Sequence, residues 1–241
     1  MRRMQILILG ASSNVGTALA EAFASGNTLI LTGRNAVRLE AAAGICRTAG
    51  SANVKLVTAD LARDLHPLFE ELQRHPIDLI IDAASASSSK RDGEISADAF
   101  DSLVAADFLS KVQLLQRICQ NQAAAPAVIF ISTVLTLVKS PGRTVYTALK
   151  GLYETYLIKL GAARPGFYLL IVYIGIVIEN KGDYEKPRRL ASAVAKAFLD
   201  RRRSLLFGMS GRIYVGLFYV QPMIFNLLTL IQRKVRKLIA N

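Results

Sequence analysis

The sequence predicts an α/β chain built on a doubly wound parallel sheet. Short runs rich in Ile, Leu and Val recur along it, longer alanine-rich segments of helical period lie between them, and the two alternate as far as about residue 208. Continuous apolar runs of strand length suit a parallel sheet, whose crossover helices cover both faces.

Taken in order, Gln5 to Leu9 is the first strand and 15–25 the first helix. Strands at 28–32, 54–58, 78–82, 127–132, 167–174 and 204–208 follow, with helices at 36–49, 65–74, 98–122, 144–163 and 187–202. That is six strand–helix units and a seventh strand. Right-handed crossovers then place any ligand beyond the carboxyl ends of the strands.

A length of 241 residues allows one core and one main domain, expected over 1–210. Residues 211–241 form a second unit, an amphipathic basic C-terminal extension. A hydrophobic share of 52% and a mean hydropathy of +0.33 exclude a disordered chain and leave apolar surface over for the outside. The net charge of +12 is uneven: Lys181 to Asn241 carry +10 and the first 180 residues +2. Cys46 and Cys119 lack metal-ligand spacing and read as buried free thiols, so no metal site is expected. His66 and His75 read as surface residues. The run Gln5 to Leu9 is too short for a secretory signal, which points to the cytoplasm.

The first turn, Leu9-Gly10-Ala11-Ser12-Ser13-Asn14-Val15-Gly16, joins a strand to an alanine-rich helix. It has the make-up of a phosphate loop: Gly10 allows a tight turn, small residues let the backbone approach a pyrophosphate, and the helix start points free N–H groups at it. Further on, Tyr146-Thr147-Ala148-Leu149-Lys150 sets a phenol and an ammonium four residues apart on one helix face. A cation held there lowers the phenol's pKa, so tyrosine can serve as general acid or base near neutral pH.

On these motifs the chain resembles the short-chain dehydrogenase/reductase family over about residues 4–208, which implies a Rossmann-type fold of about seven strands. The family loop runs Gly-x-x-x-Gly-x-Gly, and Asn14 takes the middle glycine's place; Asn tolerates a left-handed backbone best among non-glycine residues and is expected to keep the loop's shape. Gly33 stands where an NAD-selective site carries an acid, and Arg34 follows, which favours the 2′-phosphate of NADP. The resemblance implies adenine binding at Asp60-Leu61 and a close approach to the cofactor at Ala83 and Ala84, in Asp82-Ala83-Ala84-Ser85 where the family has Asn-Asn-Ala-Gly. Thr133, thirteen residues before Tyr146, takes the place of the catalytic hydroxyl. Asp107 falls where an Asn supports a water chain from the lysine, and Gly175 and Val177 lie beside the nicotinamide, with Ile174 replacing a proline. The implied reaction is hydride transfer between NADP(H) and a carbonyl or alcohol, with Tyr146 exchanging the proton and Lys150 also holding the cofactor ribose. Segments 85–97, 134–145 and 176–187 would form the substrate mouth.

The tail is uncharged from Ile213 to Ile231, interrupted by Gly216, Gln221, Pro222 and Asn226. After Pro222, Ile224, Leu227, Leu228, Ile231, Val235, Leu238 and Ile239 share one helical face, edged by Arg233, Lys234, Arg236 and Lys237. That pattern suits peripheral attachment to an anionic membrane without crossing it. Packing on the chain's own core or across a homo-oligomer interface is the competing reading. The tail resembles that of reductases forming decaprenyl-phosphoryl arabinose, which implies a lipid-linked sugar as substrate. Few aromatic residues interleave with the bases, which argues against nucleic acid. A catalytically weak NADP-binding regulatory or scaffold module is the alternative function, opposed by the retained Tyr146/Lys150 pair.

Overall fold

The computed structural model describes residues 3–73, 76–86, 95–138, 144–175 and 185–208. His75, Val177 and the extension 211–241 lie outside the described residues, as do parts of the three substrate-mouth segments. Seven strands form one parallel sheet in the order β3-β2-β1-β4-β5-β6-β7: β1 Gln5–Leu9, β2 Thr28–Gly33, β3 Asn53–Thr58, β4 Leu79–Asp82, β5 Ala127–Thr133, β6 Leu169–Ile174 and β7 Ser204–Phe207. The helices are α1 Asn14–Ala22, α2 Ala36–Thr48, α3 His66–Leu72, α4 Ala97–Val104, α5 Ser110–Asn121, α6 Thr144–Ala163 and α7 Glu185–Leu199. The strand order reverses between β1 and β4, the switch point at which such sheets bind ligands.

Alternate side chains of each strand feed two cores, one on each face of the sheet. Ile6, Ile8, Leu29, Leu31, Leu170 and Val172 pack with the helices α1, α2 and α7, whereas Leu7, Leu9, Ile30, Phe130 and Ile171 pack with α3, α5 and α6. Arg188 of α7 makes two bonds to Glu21 of α1, at 2.9 and 3.0 Å, and so ties the end of the layer to its start.

Two expectations need correction. The helix expected over 98–122 is not continuous α: a π turn, Ala105–Leu109, separates α4 from α5. Ser110 Oγ supports it by bonding the Ala105 carbonyl at 2.7 Å, and it also bonds the Leu61 carbonyl. The second concerns Asn14, which is the first residue of α1 and has no positive φ. Its place in the loop does not call for a left-handed backbone; the sharp reversal belongs to Gly10, at φ +76°.

Both cysteines are buried and free, and burial pushes the Cys46 thiol up to about 12, so neither is a reactive thiolate. His66 is exposed, 3.7 Å from Glu70. No helix among the described residues is long and apolar enough to cross a membrane.

Candidate active site

A cavity of about 1150 Å3 opens beyond the carboxyl ends of the strands at the switch point. One end is the glycine turn. Ser13 caps α1 by accepting the Gly16 N–H at 3.0 Å, and its own hydroxyl donates to the Gly10 carbonyl at 2.9 Å, which closes the turn on itself. Gly10 passes so close to the β4 end that a Cβ there would lie 2.8 Å from Ala84 Cα. Gly16 is packed against the turn, where a Cβ would meet the Gly10 carbonyl oxygen at 2.1 Å. Gly10, Ser12, Ser13 and Val15 line the cavity, with Asn14 and Gly16 buried in the first turn of α1.

Beside the turn stand Gly33, Arg34 and Arg38, followed by Asp60 and Leu61. A Cβ on Gly33 would reach Ser12 Oγ at 2.6 Å, so a larger residue there would press on the glycine turn. Arg34 is exposed, and Arg38 follows it in the first turn of α2, which Asn35 caps. Arg38 was not legible as a site residue, although it lies one turn on from Arg34. Asp60 accepts the Ala62 N–H at 3.0 Å. These residues fit a dinucleotide: an N–H-rich helix start free of acids, a small-residue floor at Ala83 and Ala84, and two guanidinium groups at one edge.

The other end holds Thr133, Tyr146 and Lys150, which the fold brings into one cavity from the end of β5 and from α6. Thr133 is 7% exposed and its Oγ accepts the Leu135 N–H at 3.3 Å, a bond that uses a lone pair and leaves the hydroxyl able to donate. Lys150 is 3% exposed, with Nζ donating to the Ile131 carbonyl at 3.0 Å and to that of Ala84 at 3.4 Å. The ammonium sits 4.7 Å from the Phe130 ring centre and 6.0 Å from that of Tyr146. Burial, reinforced by the nearby Lys111 cation, pulls Lys150 down to about 8 against the attraction of Asp82, Asp107 and Glu154. Tyr153, the phenol one turn beyond Lys150, is 3% exposed and pushed well up by burial and then by Asp82, which makes it a core residue and not a second acid. Gly175 also lines the cavity.

Asp107 sits in the π turn, 2% exposed, and both its carboxylate oxygens accept the Ala86 N–H, at 3.1 and 3.3 Å. It thereby pins the chain leaving β4. Asp82 does the equivalent one step earlier by accepting the Ala84 N–H at 3.1 Å, which is how the loop keeps its bonding with a carboxylate in place of an amide.

The structure brings three further side chains, Lys111, Ser132 and Glu154, to the site. Lys111 is 1% exposed; it donates to one Asp82 oxygen at 3.0 Å and to the Ala84 carbonyl at 2.9 Å, and lies 2.9 Å from the second Asp82 oxygen as an ion pair. Ser132, 1% exposed, donates to Glu154, whose other oxygen accepts from the Tyr173 hydroxyl at 3.4 Å. A signal existed for two of them: Lys111 lies four residues after Asp107, and Glu154 four residues after Lys150, each on the same inward helix face.

Known proteins resemble the chain in sequence and in fold. The chain is 27% identical over 214 residues to the uncharacterized oxidoreductase Rv2073c of Mycobacterium tuberculosis, covering 82% of this chain and 86% of the relative. A short-chain dehydrogenase from Sphingobium yanoikuyae in complex with NADPH superposes with a TM-score of 0.74 at 23% identity, over 92% of this chain and 95% of that one. The bulky-bulky ketone specific alcohol dehydrogenase from Comamonas testosteroni gives 0.74 at 22% identity, over 95% of each. At those identities the two structures speak for the fold. Residues 4–160 match the short chain dehydrogenase family model, and the chain belongs to that family.

Proposed function

We propose that the protein is an NADP(H)-dependent reductase that exchanges a hydride with a carbonyl or alcohol carbon. The observation that carries the reading is the seating of Lys150 beside the Tyr146 ring, in the same cavity as the glycine turn and Arg34. The bound cofactor supplies or takes the hydride. Tyr146 delivers the proton to the carbonyl oxygen, Thr133 donates a hydrogen bond to that oxygen, and the Lys150 ammonium stabilises the phenolate left behind. The test is incubation with NADPH and a panel comprising 9,10-phenanthrenequinone, a steroid ketone and a ketosugar, followed at 340 nm. NADPH oxidation that does not depend on any of these carbonyls, or no oxidation with any of them, would remove the reading.

Arg34 and Arg38 meet the cofactor's 2′-phosphate, and Gly33 withholds the acid that would repel it. NADPH should therefore bind more tightly than NADH, and Arg34→Ala with Arg38→Ala should erase about 2 kcal/mol of that preference, the scale of charge-assisted hydrogen bonds. Titration of cofactor fluorescence checks it; equal affinities in the unmodified protein would contradict the assignment.

The lipid-linked substrate and the membrane surface rest on the sequence of the extension, where an apolar face from Ile224 to Ile239 is bordered by four bases. Burial of that face and attraction of the bases, each base worth about 1 kcal/mol near an anionic surface, would act together. Deleting residues 212–241 should release the protein from anionic vesicles, and high salt should weaken attachment in part. A full-length protein that does not float with vesicles would withdraw the membrane reading.

A further inference from the structure

The charge pair that the reductase reading leaves without a role lies directly behind the proton-transfer lysine. Asp82 is 0% exposed and Lys111 is 1% exposed, at the end of β4 and in the first turn of α5. Lys111 Nζ donates to one Asp82 oxygen at 3.0 Å, lies 2.9 Å from the other as an ion pair, and stands 3.9 Å from Asp107. It also donates to the Ala84 carbonyl, the group to which Lys150 donates as well, at 2.9 against 3.4 Å. Both ammonium groups lie over the Phe130 ring, 5.6 Å and 4.7 Å from its centre. Two cations that share one carbonyl and one aromatic ring, both almost fully buried, interact far more strongly than surface charges do.

We propose that the Lys111–Asp82 pair is a positioning element of the active centre, fixing where the Lys150 ammonium sits and the electric field in which it works. The inference rests on the reductase reading for its consequence, but not for its geometry. A carboxylate only accepts, so an Asp at the end of β4 must be supplied with donors. The Ala84 N–H is one and Lys111 is the other. With Lys111 engaged by Asp82, Lys150 is left to the Ile131 carbonyl and the Tyr146 side of the cavity. An unpaired Asp82 would instead draw Lys150 toward itself.

Among the described residues, the titratable groups facing Lys150 are Tyr146 and Glu154 from its own helix, Asp82 from β4, Asp107 from the π turn and Lys111 from α5. Removing one charge of the pair at a time therefore acts on Lys150 with opposite sign. Lys111→Met deletes a neighbouring cation and should raise the pH at which Lys150 loses its proton by about one unit, whereas Asp82→Asn deletes an anion and should lower it by a similar amount. The double variant Asp82→Asn/Lys111→Met should return it close to the parent value.

Lys150 itself is read by trace labelling with acetic anhydride across pH 6–11, followed by peptide mass spectrometry, in the full chain without cofactor. The alkaline limb of kcat/KM for NADPH reduction of 9,10-phenanthrenequinone is read in parallel. Opposite displacements in the two single variants, cancelled in the double, support the proposal. Displacements in the same direction, or none, overturn it, since a pair that merely holds the fold together would lower stability in both single variants without moving Lys150 in opposite senses. Should Lys111→Met fail to fold, Asp82→Asn and the double variant carry the same comparison, as the first must lie below parent and double alike. Opposed labelling shifts with no turnover of the quinone would leave the proposal standing and remove the reductase reading.

Discussion

Replacement of Tyr146 by Phe is expected to lower turnover by on the order of 10²- to 10⁴-fold, the range for loss of one positioned general acid. The ring keeps its place over the Lys150 ammonium, 6.0 Å from Nζ, and only the hydroxyl is lost. The glycine turn, Arg34 and Asp60 are untouched at the far end of the cavity, so NADPH affinity should stay close to that of the parent. A fall in kcat with an unchanged cofactor titration is the signature of an interaction made in the transition state. Unchanged turnover would show that the proton comes from another group. Tyr153, a second phenol on the same helix, is a poor substitute: it is buried against Phe130, with ring centres 5.1 Å apart.

How far this site could be read from the residues follows from the range of the interactions involved. The seven strands stand within two residues of their expected bounds, and for the inner ones the reason is that a strand buried on both faces writes itself as a short apolar run, as Gln5–Leu9 and Leu79–Asp82 do. Phe167 and Tyr168 were expected in the sixth strand, yet the strand begins at Leu169: both residues are buried, and burial is what the pattern records, not ladder bonding. The last helix starts at Glu185 and ends at Leu199, earlier at both ends than the expected 187–202. Its end is set by Arg201 at φ +55°, where the chain turns into β7, and a run of arginines carries no mark of that turn. The π turn was invisible for a related reason, since one extra residue in a helix barely disturbs the apolar period over so short a stretch.

The same distinction governs the site. The glycine turn and the Tyr146/Lys150 spacing are local patterns and were legible as such. Lys111 and Asp82 are 29 residues apart, and Ser132 and Glu154 are 22 apart, so each pair becomes visible only once the sheet exists. A lysine in a helix is also read as a solvated side chain by default, because few are ever fully buried. The preceding Asp107, on the same inward face, marks Lys111 as the exception.

Lys150→Met should have the largest effect on pH dependence, and the sign follows from the burial. Folding pulls this amine from its ordinary 10.5 down to about 8. Between those two values the unfolded chain holds the proton that the folded chain has released, so stability rises with pH across the window. The contribution is complete above 10.5 and is lost as pH falls through about 8, where the fold carries a buried ammonium. One pKa unit corresponds to about 1.4 kcal/mol, which makes the span about 3 kcal/mol. Buried tyrosines and cysteines act in the opposite sense, since they must ionise as the chain unfolds at high pH. For that reason the informative quantity is the difference between parent and variant, in which those groups cancel. Met keeps the length of the side chain and cannot titrate, so in urea titrations from pH 7 to 11 the parent should gain about 3 kcal/mol relative to Lys150→Met. Reduction should fall by on the order of 10² or more in the same variant, because the phenolate of Tyr146 loses its counter-charge. Stability curves that run parallel across the whole range would mean that Lys150 titrates normally, and that the low proton affinity assigned to it by its burial is wrong.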